Sequence, residues 1–340
     1  MTIKNLVFSG SGSKIFIYLG VIKYLLENNK MRDISTIVGT SGGSIIALLL
    51  ILDYKYESIL ELFIGINLEI LNKIDSIDIL NVFDSYGIRD STECERILRI
   101  ILNAKVGKRN ITFKELYDIT KKKLVICATN IHKYKTIFFS YNNYPDMDVI
   151  KAITMSICIP LFFKPILYKD EFYVDGSITC HYPIEYFTDT KELKNTLGIL
   201  ILPDYYLCQD DTLNTSLNCI KKAKIDNFED YIFTVLGCPI FKTIQDIYNK
   251  YKQITILIIN NFNGLNFDIS NSDKMEFLEE GYNITKKWFD GNLSMGNEVS
   301  EEDKEDKEDK EDKASDKTPD FIIVPTETSP KYVSIGIQTE

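Results

Sequence analysis

A chain of 340 residues, 45% of them hydrophobic, is long enough for one full α/β core with residues to spare. Its net charge of −10 is concentrated in the tail, where eleven acidic residues stand against five lysines between Glu301 and Asp320; the rest has no basic stripe, which argues against nucleic acid as a partner. Seven cysteines, scattered and never in a C-x-x-C pair, argue against a disulfide framework or a zinc site and for a reducing compartment.

In chain order, Asn5 to Ser9 reads as a buried strand, so near the start that no signal peptide is expected. The small-residue turn Gly10-Ser11-Gly12-Ser13 follows, then a helical pattern through Leu26. Thr36 to Gly39 is a second strand, followed by Thr40-Ser41-Gly42-Gly43 and an apolar helical run from Ser44. The longest apolar run, Ile45 to Leu52, is too short to span a membrane. Tyr54 to about Lys121 is mainly helical by its spacing; Leu124 to Ala128 and Phe138-Phe139 are strands. Lys151 to Ile157 is helical, and Phe172 to Val174 is a strand running into Asp175-Gly176. Gly198 to Leu202 and Ile254 to Ile259 are apolar strands, and Asp273 to Phe289 is an amphipathic helix. Strand, small-residue turn and helix in alternation predict a mostly parallel sheet with helices on its faces.

Four regions are expected: 5–188 as a catalytic core, 189–290 completing the same α/β domain, 291–331 as a charged disordered linker, and 332–340 as a β-prone terminal peptide. Asp-Lys-Glu triplets cannot bury apolar surface, which is the reason for the linker.

Gly39-Thr40-Ser41-Gly42-Gly43 is a G-x-S-x-G between a strand and a helix, where a sharp turn lifts the serine clear of the sheet and small neighbours let the chain pass close to itself. The bland alternative is a glycine-rich start to a helix. A Ser-His-Asp triad fits poorly, since the chain has only His132 and His181, and His181 lies six residues beyond Asp175. A carboxylate can take the serine proton directly, and Asp175 is the best candidate, although Asp-Gly alone would read as a β-turn. The turn Gly10-Ser11-Gly12-Ser13-Lys14 offers unpaired N–H groups at a helix start, suited to an oxyanion hole; a nucleotide loop is the lesser alternative, because G-x-x-x-x-G-K-[ST] is absent and G-x-G-x-x-G fails at Ile15.

With these residues in place, the sequence resembles the patatin-like phospholipase family. That family's pattern is a glycine-rich G-G-G-x-[KR]-G loop, then G-x-S-x-G, then D-G-[GA]. Here they stand as Gly10-Ser11-Gly12-Ser13-Lys14-Ile15, Gly39 to Gly43, and Asp175-Gly176-Ser177. LVICATNIHK, FFSYNN and KAITMSICIPLFFKPILYKDEFYVDGSITCHYPI look alike as well, and a weaker likeness continues to Trp288. The resemblance implies a three-layer α/β sandwich, with a mostly parallel central sheet and helices on both faces. It implies hydrolysis of a fatty acyl ester, phospholipid or other, through an acyl-enzyme on Ser41. Asp175 would be the proton acceptor, and Gly10, Ser11, Gly12 and Lys14 would make the oxyanion loop. No cofactor, metal or calcium is implied, and the setting would be cytoplasmic, peripheral at membranes. Ser11, Ile15 and Ser177 depart from the pattern; a backbone N–H survives at Ser11 if its φ/ψ tolerates a Cβ. A catalytically weakened lipid-binding or adaptor protein acting through its tail is the alternative.

Leu161, Phe162 and Phe163 read either as a membrane-facing rim or as core. The terminal Gly336, Ile337, Gln338, Thr339 and Glu340 resemble a dynein light chain peptide, which adds to a partner's sheet as an edge strand.

Overall fold

The computed structural model describes residues 2–65, 84–203, 225, 228–264 and 266–302. The chain opens with β1 (Asn5–Phe8), a 3₁₀ turn over Gly12–Ile15, α1 (Phe16–Glu27), β2 (Thr36–Thr40), α2 (Gly42–Ile51) and α3 (Tyr56–Gly65). After β3 (Gly87–Arg89) come α4 (Thr92–Val106), α5 (Phe113–Thr120), β4 (Lys123–Asn130), β5 (Lys135–Phe139) and α6 (Val149–Ser156). Three short strands follow, β6 (Leu161–Phe163), β7 (Ile166–Tyr168) and β8 (Glu171–Asp175), then α7 (Ser177–Cys180) and α8 (Thr190–Leu193). β9 (Thr196–Leu202), α9 (Phe228–Tyr251), β10 (Thr255–Ile259) and α10 (Asn271–Glu302) complete the described chain.

The main sheet runs β10-β9-β1-β2-β4-β8-β7, with β5 also paired to β4. The pairs from β10 to β4 are parallel, whereas β4–β5, β4–β8 and β7–β8 are antiparallel. The parallel strands are near-continuous apolar runs because both faces are covered. Their side chains sort with period two. Leu6, Phe8, Ile37, Leu124, Ile126, Leu197 and Ile199 join a large core under the first helices, whereas Val7, Val38, Val125, Leu200 and Leu202 join a smaller one with Ile244 and Tyr251 of α9. The expected α/β sandwich is therefore present, its sheet parallel in the middle and antiparallel at one edge.

Helix starts follow local chemistry. Thr112 and Glu115 form a capping box on α5, and Asp148 caps α6 through the Lys151 N–H while pairing with Arg99 at 3.1 Å. At α10, Ser270 Oγ accepts from Asp273 N and the Asp273 carboxylate accepts from Ser270 N, so the helix begins two residues earlier than expected, and it runs on to Glu302. Of the trio left open, Leu161 is 39% exposed while Phe162 and Phe163 are buried, so the trio divides between surface and core. The terminal peptide, and the linker beyond Glu302, lie outside the described residues. Among those residues no helix is long and apolar enough to cross a membrane.

Candidate active site

β4 decides where the site lies. Its first half pairs with β2, up to Thr40 opposite Cys127; its second half pairs with β8, from Asp175 opposite Ala128. Since β5 runs along the other edge of both halves, β2 and β8 share one edge of β4. β2 runs with β4 and β8 against it, so their C-terminal ends meet head-on between two successive rungs. Ser41 follows the last residue of β2, Asp175 is the last of β8, and the Ser41 hydroxyl donates to Asp175 Oδ2 at 2.6 Å across 134 positions.

Ser41 sits at φ 51°, ψ −126°, a backbone conformation that side chains other than glycine's seldom adopt and that persists only when neighbours over-determine it. Its N–H donates to Ser156 Oγ at 2.9 Å, and the Ser156 hydroxyl donates to Cys127 O at 2.6 Å. Its carbonyl accepts from the Ser44 hydroxyl at 2.6 Å. Gly39 and Gly43 cross so closely that a methyl group on Gly39 would lie 2.5 Å from Gly43 O, and one on Gly43 2.5 Å from Ser9 O. Ser41 also stands at the N-terminus of α2, whose dipole favours negative charge there.

Asp175 is 2% exposed. Burial pushes its carboxyl up to about 6, against the opposing pull of the Ser41 hydroxyl and of Ser177 N–H, which donates to Oδ1 at 2.7 Å. Its backbone is pinned by Asp175 N to Cys158 O at 2.8 Å, and Gly176 passes over Cys127 O at a distance that a Cβ would reduce to 2.3 Å. His181 belongs elsewhere. Its ring nitrogen Nε2 lies 3.3 Å from Ile201 O, and burial pushes the imidazole down to about 4, so it is neutral near pH 7.

The Gly10 loop lies against this pair. Gly10 N–H is taken by His181 O at 2.9 Å, Ser13 N–H by Gly264 O at 2.7 Å and Lys14 N–H by Ser11 O at 3.1 Å. Among the described residues the N–H groups of Ser11 and Gly12 make no hydrogen bond. Gly10 is thus an anchor, and the two amides after it are the available donors. A Cβ on Gly42, next to Ser41, would lie 2.4 Å from Ser11 Oγ and 3.6 Å from Gly12 N. Ser11, at φ −139°, carries its Cβ without strain. Gly12, at φ 55°, does need glycine, since a Cβ there would meet Gly264 O at 2.1 Å. Lys14 is buried, its Nζ 3.4 Å from Asn260 O.

The segment Asn260 to Gly264 was not anticipated. Its N-F-N-G composition reads as a turn after a strand, but nothing local marks the contact made some 250 positions away. Ser156 was missed for the same reason: it sits within a stretch that resembles the family, yet only the folded chain brings it to Ser41 N.

Beside Ser41 opens a cavity of about 140 Å³. Apart from Ser13 and Ser41 its walls are apolar or glycine: Ile15 and Ile45, Leu62 and Phe63 of α3, Cys94, Ile97, Leu98 and Ile101 of α4, then Ile157, Ile159, Phe163 and Phe267. Ile15, which departs from the family pattern, is one face of that wall. Cys94 contributes as a neutral thiol, pushed up to about 11 by burial. Among the described residues no three His, Cys, Asp or Glu side chains gather as a metal site would require.

The model for "Patatin-like phospholipase" matches residues 6–188, more than half of the chain. An uncharacterized protein of Acanthamoeba polyphaga mimivirus is 31% identical over 290 residues, covering 84% of this chain and 93% of that one. A probable lipid hydrolase of Invertebrate iridescent virus 6 is 34% identical over 193 residues, 56% of this chain and 66% of the relative. Among solved structures, VipD from Legionella pneumophila matches with a TM-score of 0.56 at 16% identity, over 86% of this chain and 67% of VipD. ExoU of Pseudomonas aeruginosa, in complex with SpcU, matches with a TM-score of 0.50 at 16% identity, over 86% of this chain and 53% of the other. At such identity these two speak for the fold, while the sequence matches speak for descent: the chain belongs to the patatin-like phospholipase family.

Proposed function

We propose that this protein cleaves fatty acyl esters of phospholipids or related lipids with a Ser41–Asp175 dyad, without calcium or any other cofactor. The observation that carries the reading is the 2.6 Å hydrogen bond from Ser41 to Asp175 at the wall of an apolar cavity. Asp175 Oδ2 takes the hydroxyl proton as Ser41 Oγ bonds to the ester carbonyl carbon. The carbonyl oxygen becomes an oxyanion facing the Ser11 and Gly12 N–H groups, where one well-aimed donor is worth roughly 3 kcal/mol. As the C–O bond breaks, the leaving alcohol takes the proton from Asp175. Water then loses a proton to Asp175 as it attacks the acyl-enzyme, and Ser41 Oγ takes that proton back as its bond to the acyl carbon breaks, releasing the fatty acid and restoring the Asp175 carboxylate. The acyl chain lies in the cavity, which has the apolar walls a hydrocarbon requires.

The same reading assigns residues 189–290 to the catalytic domain, since Gly264 O and Phe267 contribute to the loop and the cavity. The terminal peptide is a separate proposal, tested by binding of a synthetic 332–340 peptide to a dynein light chain.

The deciding experiment is labelling with a long-chain fluorophosphonate in EDTA, with hydrolysis of p-nitrophenyl acyl esters followed in parallel. Wild type is expected to be labelled on Ser41 and to turn over ester; Ser41→Ala is expected to do neither while keeping its circular dichroism spectrum. Equal turnover by both proteins would overturn the assignment.

A further inference from the structure

Two hairpin tips lie side by side at the antiparallel edge of the sheet. The β4–β5 tip carries Ile131 and Tyr134, and Tyr134 is 90% exposed at φ 51°. The β7–β8 tip follows Leu167, 55% exposed and directly opposite Phe172. Ile131 N–H donates to Phe172 O at 3.1 Å, joining the tips, and the rings of Tyr86 and His132 stand edge-on to Phe172 at 6.1 and 5.5 Å. Opposed residues of an antiparallel pair share a face, so Leu167 and Phe172 form one apolar surface with these rings. Leu161, paired to Gly87 next to Tyr86, is exposed at φ 68°, an unfavourable conformation for a bulky side chain. It stands between Ile159 and Phe163, both of which line the cavity beside Ser41.

Charge on this face runs against that of the molecule. The two hairpin tips carry Lys133, Lys135 and Lys169 against Asp170 and Glu171, a local excess of lysine on a chain whose net charge is −10. Lys133 pairs with Glu171 at 2.5 Å and Lys169 Nζ stands 5.3 Å from the centre of the Tyr168 ring, so these charges are interleaved with the other side chains of the tips.

We propose that this face seats on the surface of an anionic phospholipid leaflet, with the aromatic and leucine side chains entering the headgroup region and the lysines meeting lipid phosphates. The proposal rests on the lipid-hydrolase reading and adds to it the place where substrate enters. A protein partner could also use exposed rings and lysines. What favours lipid is continuity: the exposed leucine adjoins the cavity wall, so an acyl chain leaving the leaflet there reaches Ser41 without crossing bulk water.

The test is flotation of the Ser41→Ala chain with vesicles of phosphatidylcholine, with and without phosphatidylserine. Wild-type-faced protein should float with the anionic vesicles and less with the neutral ones. Binding should fall about tenfold in Leu167→Ser/Tyr134→Ser, and by a similar factor in Lys135→Glu/Lys169→Glu. With Ser41 restored, the same variants should hydrolyse soluble p-nitrophenyl butyrate within about twofold of wild type, which also certifies their folding. Vesicle binding that is absent, or unchanged by both double variants, overturns the proposal. So does a wild-type dimer that the variants dissociate, for the face would then bind a second copy. If wild type hydrolyses no ester yet floats as described, the catalytic reading fails and the docking face stands.

Discussion

Asp175 sets two opposing demands on one carboxyl. As the proposed base it must be ionised, yet its surroundings favour the protonated form and push it from an ordinary 3.8 up to about 6. Ester turnover should therefore rise with pH to a plateau, half-maximal near pH 6, and Asp175→Asn should lose about 10²–10⁴ of kcat with that pH dependence gone. Stability should move the other way. Between about pH 4 and 6 the native chain holds a proton that the unfolded chain has released, so stability falls as pH rises through that window and stays lower above it. A displacement of this size corresponds to about 3 kcal/mol, so Asp175→Asn should be the more stable protein at pH 7 by up to that amount, and indistinguishable from wild type below pH 4. Urea melts at the two pH values check it; an Asn variant less stable than wild type at pH 7 would contradict it. The meeting of Ser41 with Asp175 was legible because a G-x-S-x-G turn and an Asp-Gly strand end have local signatures. Ser156 and Gly264 have none, since an ordinary hydroxyl and an ordinary carbonyl become special only through what the fold sets beside them.

Elements buried on both faces announced themselves: β1, β2, β4 and β9 are near-continuous apolar runs with polar residues confined to their ends, and no loop composition imitates that. The three-residue β6 and β7 are too short for any periodicity, and α9 carries Gly237-Cys238-Pro239, which local rules read as a break although the helix passes through it. α10 was read correctly as amphipathic, but its partner could not be. It crosses α1 at two glycines, where a methyl group on Gly20 would lie 1.9 Å from Leu278 O and one on Gly281 2.1 Å from Ile17 O. Around that crossing Tyr24 packs on Tyr282 and Phe289, with ring centroids 5.5 Å apart in each case. Gly281→Ala should force the helices apart and cost about 2–3 kcal/mol, seen as a lower urea midpoint, with turnover per folded molecule largely kept. An unchanged midpoint would mean that the contact is not as tight as described.

At the scale of the molecule, the family match ends at residue 188 while the sheet does not. β9 lies between β1 and β10, and its registers with both are continuous. A fragment of residues 1–188 would leave the buried strand β1 with an open, apolar edge, and the Gly10 loop without Gly264. It should express as an aggregate unlabelled by fluorophosphonate, whereas removal of residues 303–340 should leave labelling and turnover at wild-type levels. A soluble, labelled 1–188 fragment would overturn the assignment of the later strands to the same domain.

The meeting of β2 and β8 along β4 has one more consequence. The distance between hydroxyl and carboxylate is fixed by a single strand acting as a ruler, one rung to the next, and owes nothing to the length or shape of the chain threaded between them. That intervening stretch includes α3 and α4, which build the cavity wall. Mutation can therefore reshape the cavity while hydroxyl and carboxylate stay in register, so under the proposed function selectivity and reactivity in this scaffold can evolve on separate clocks.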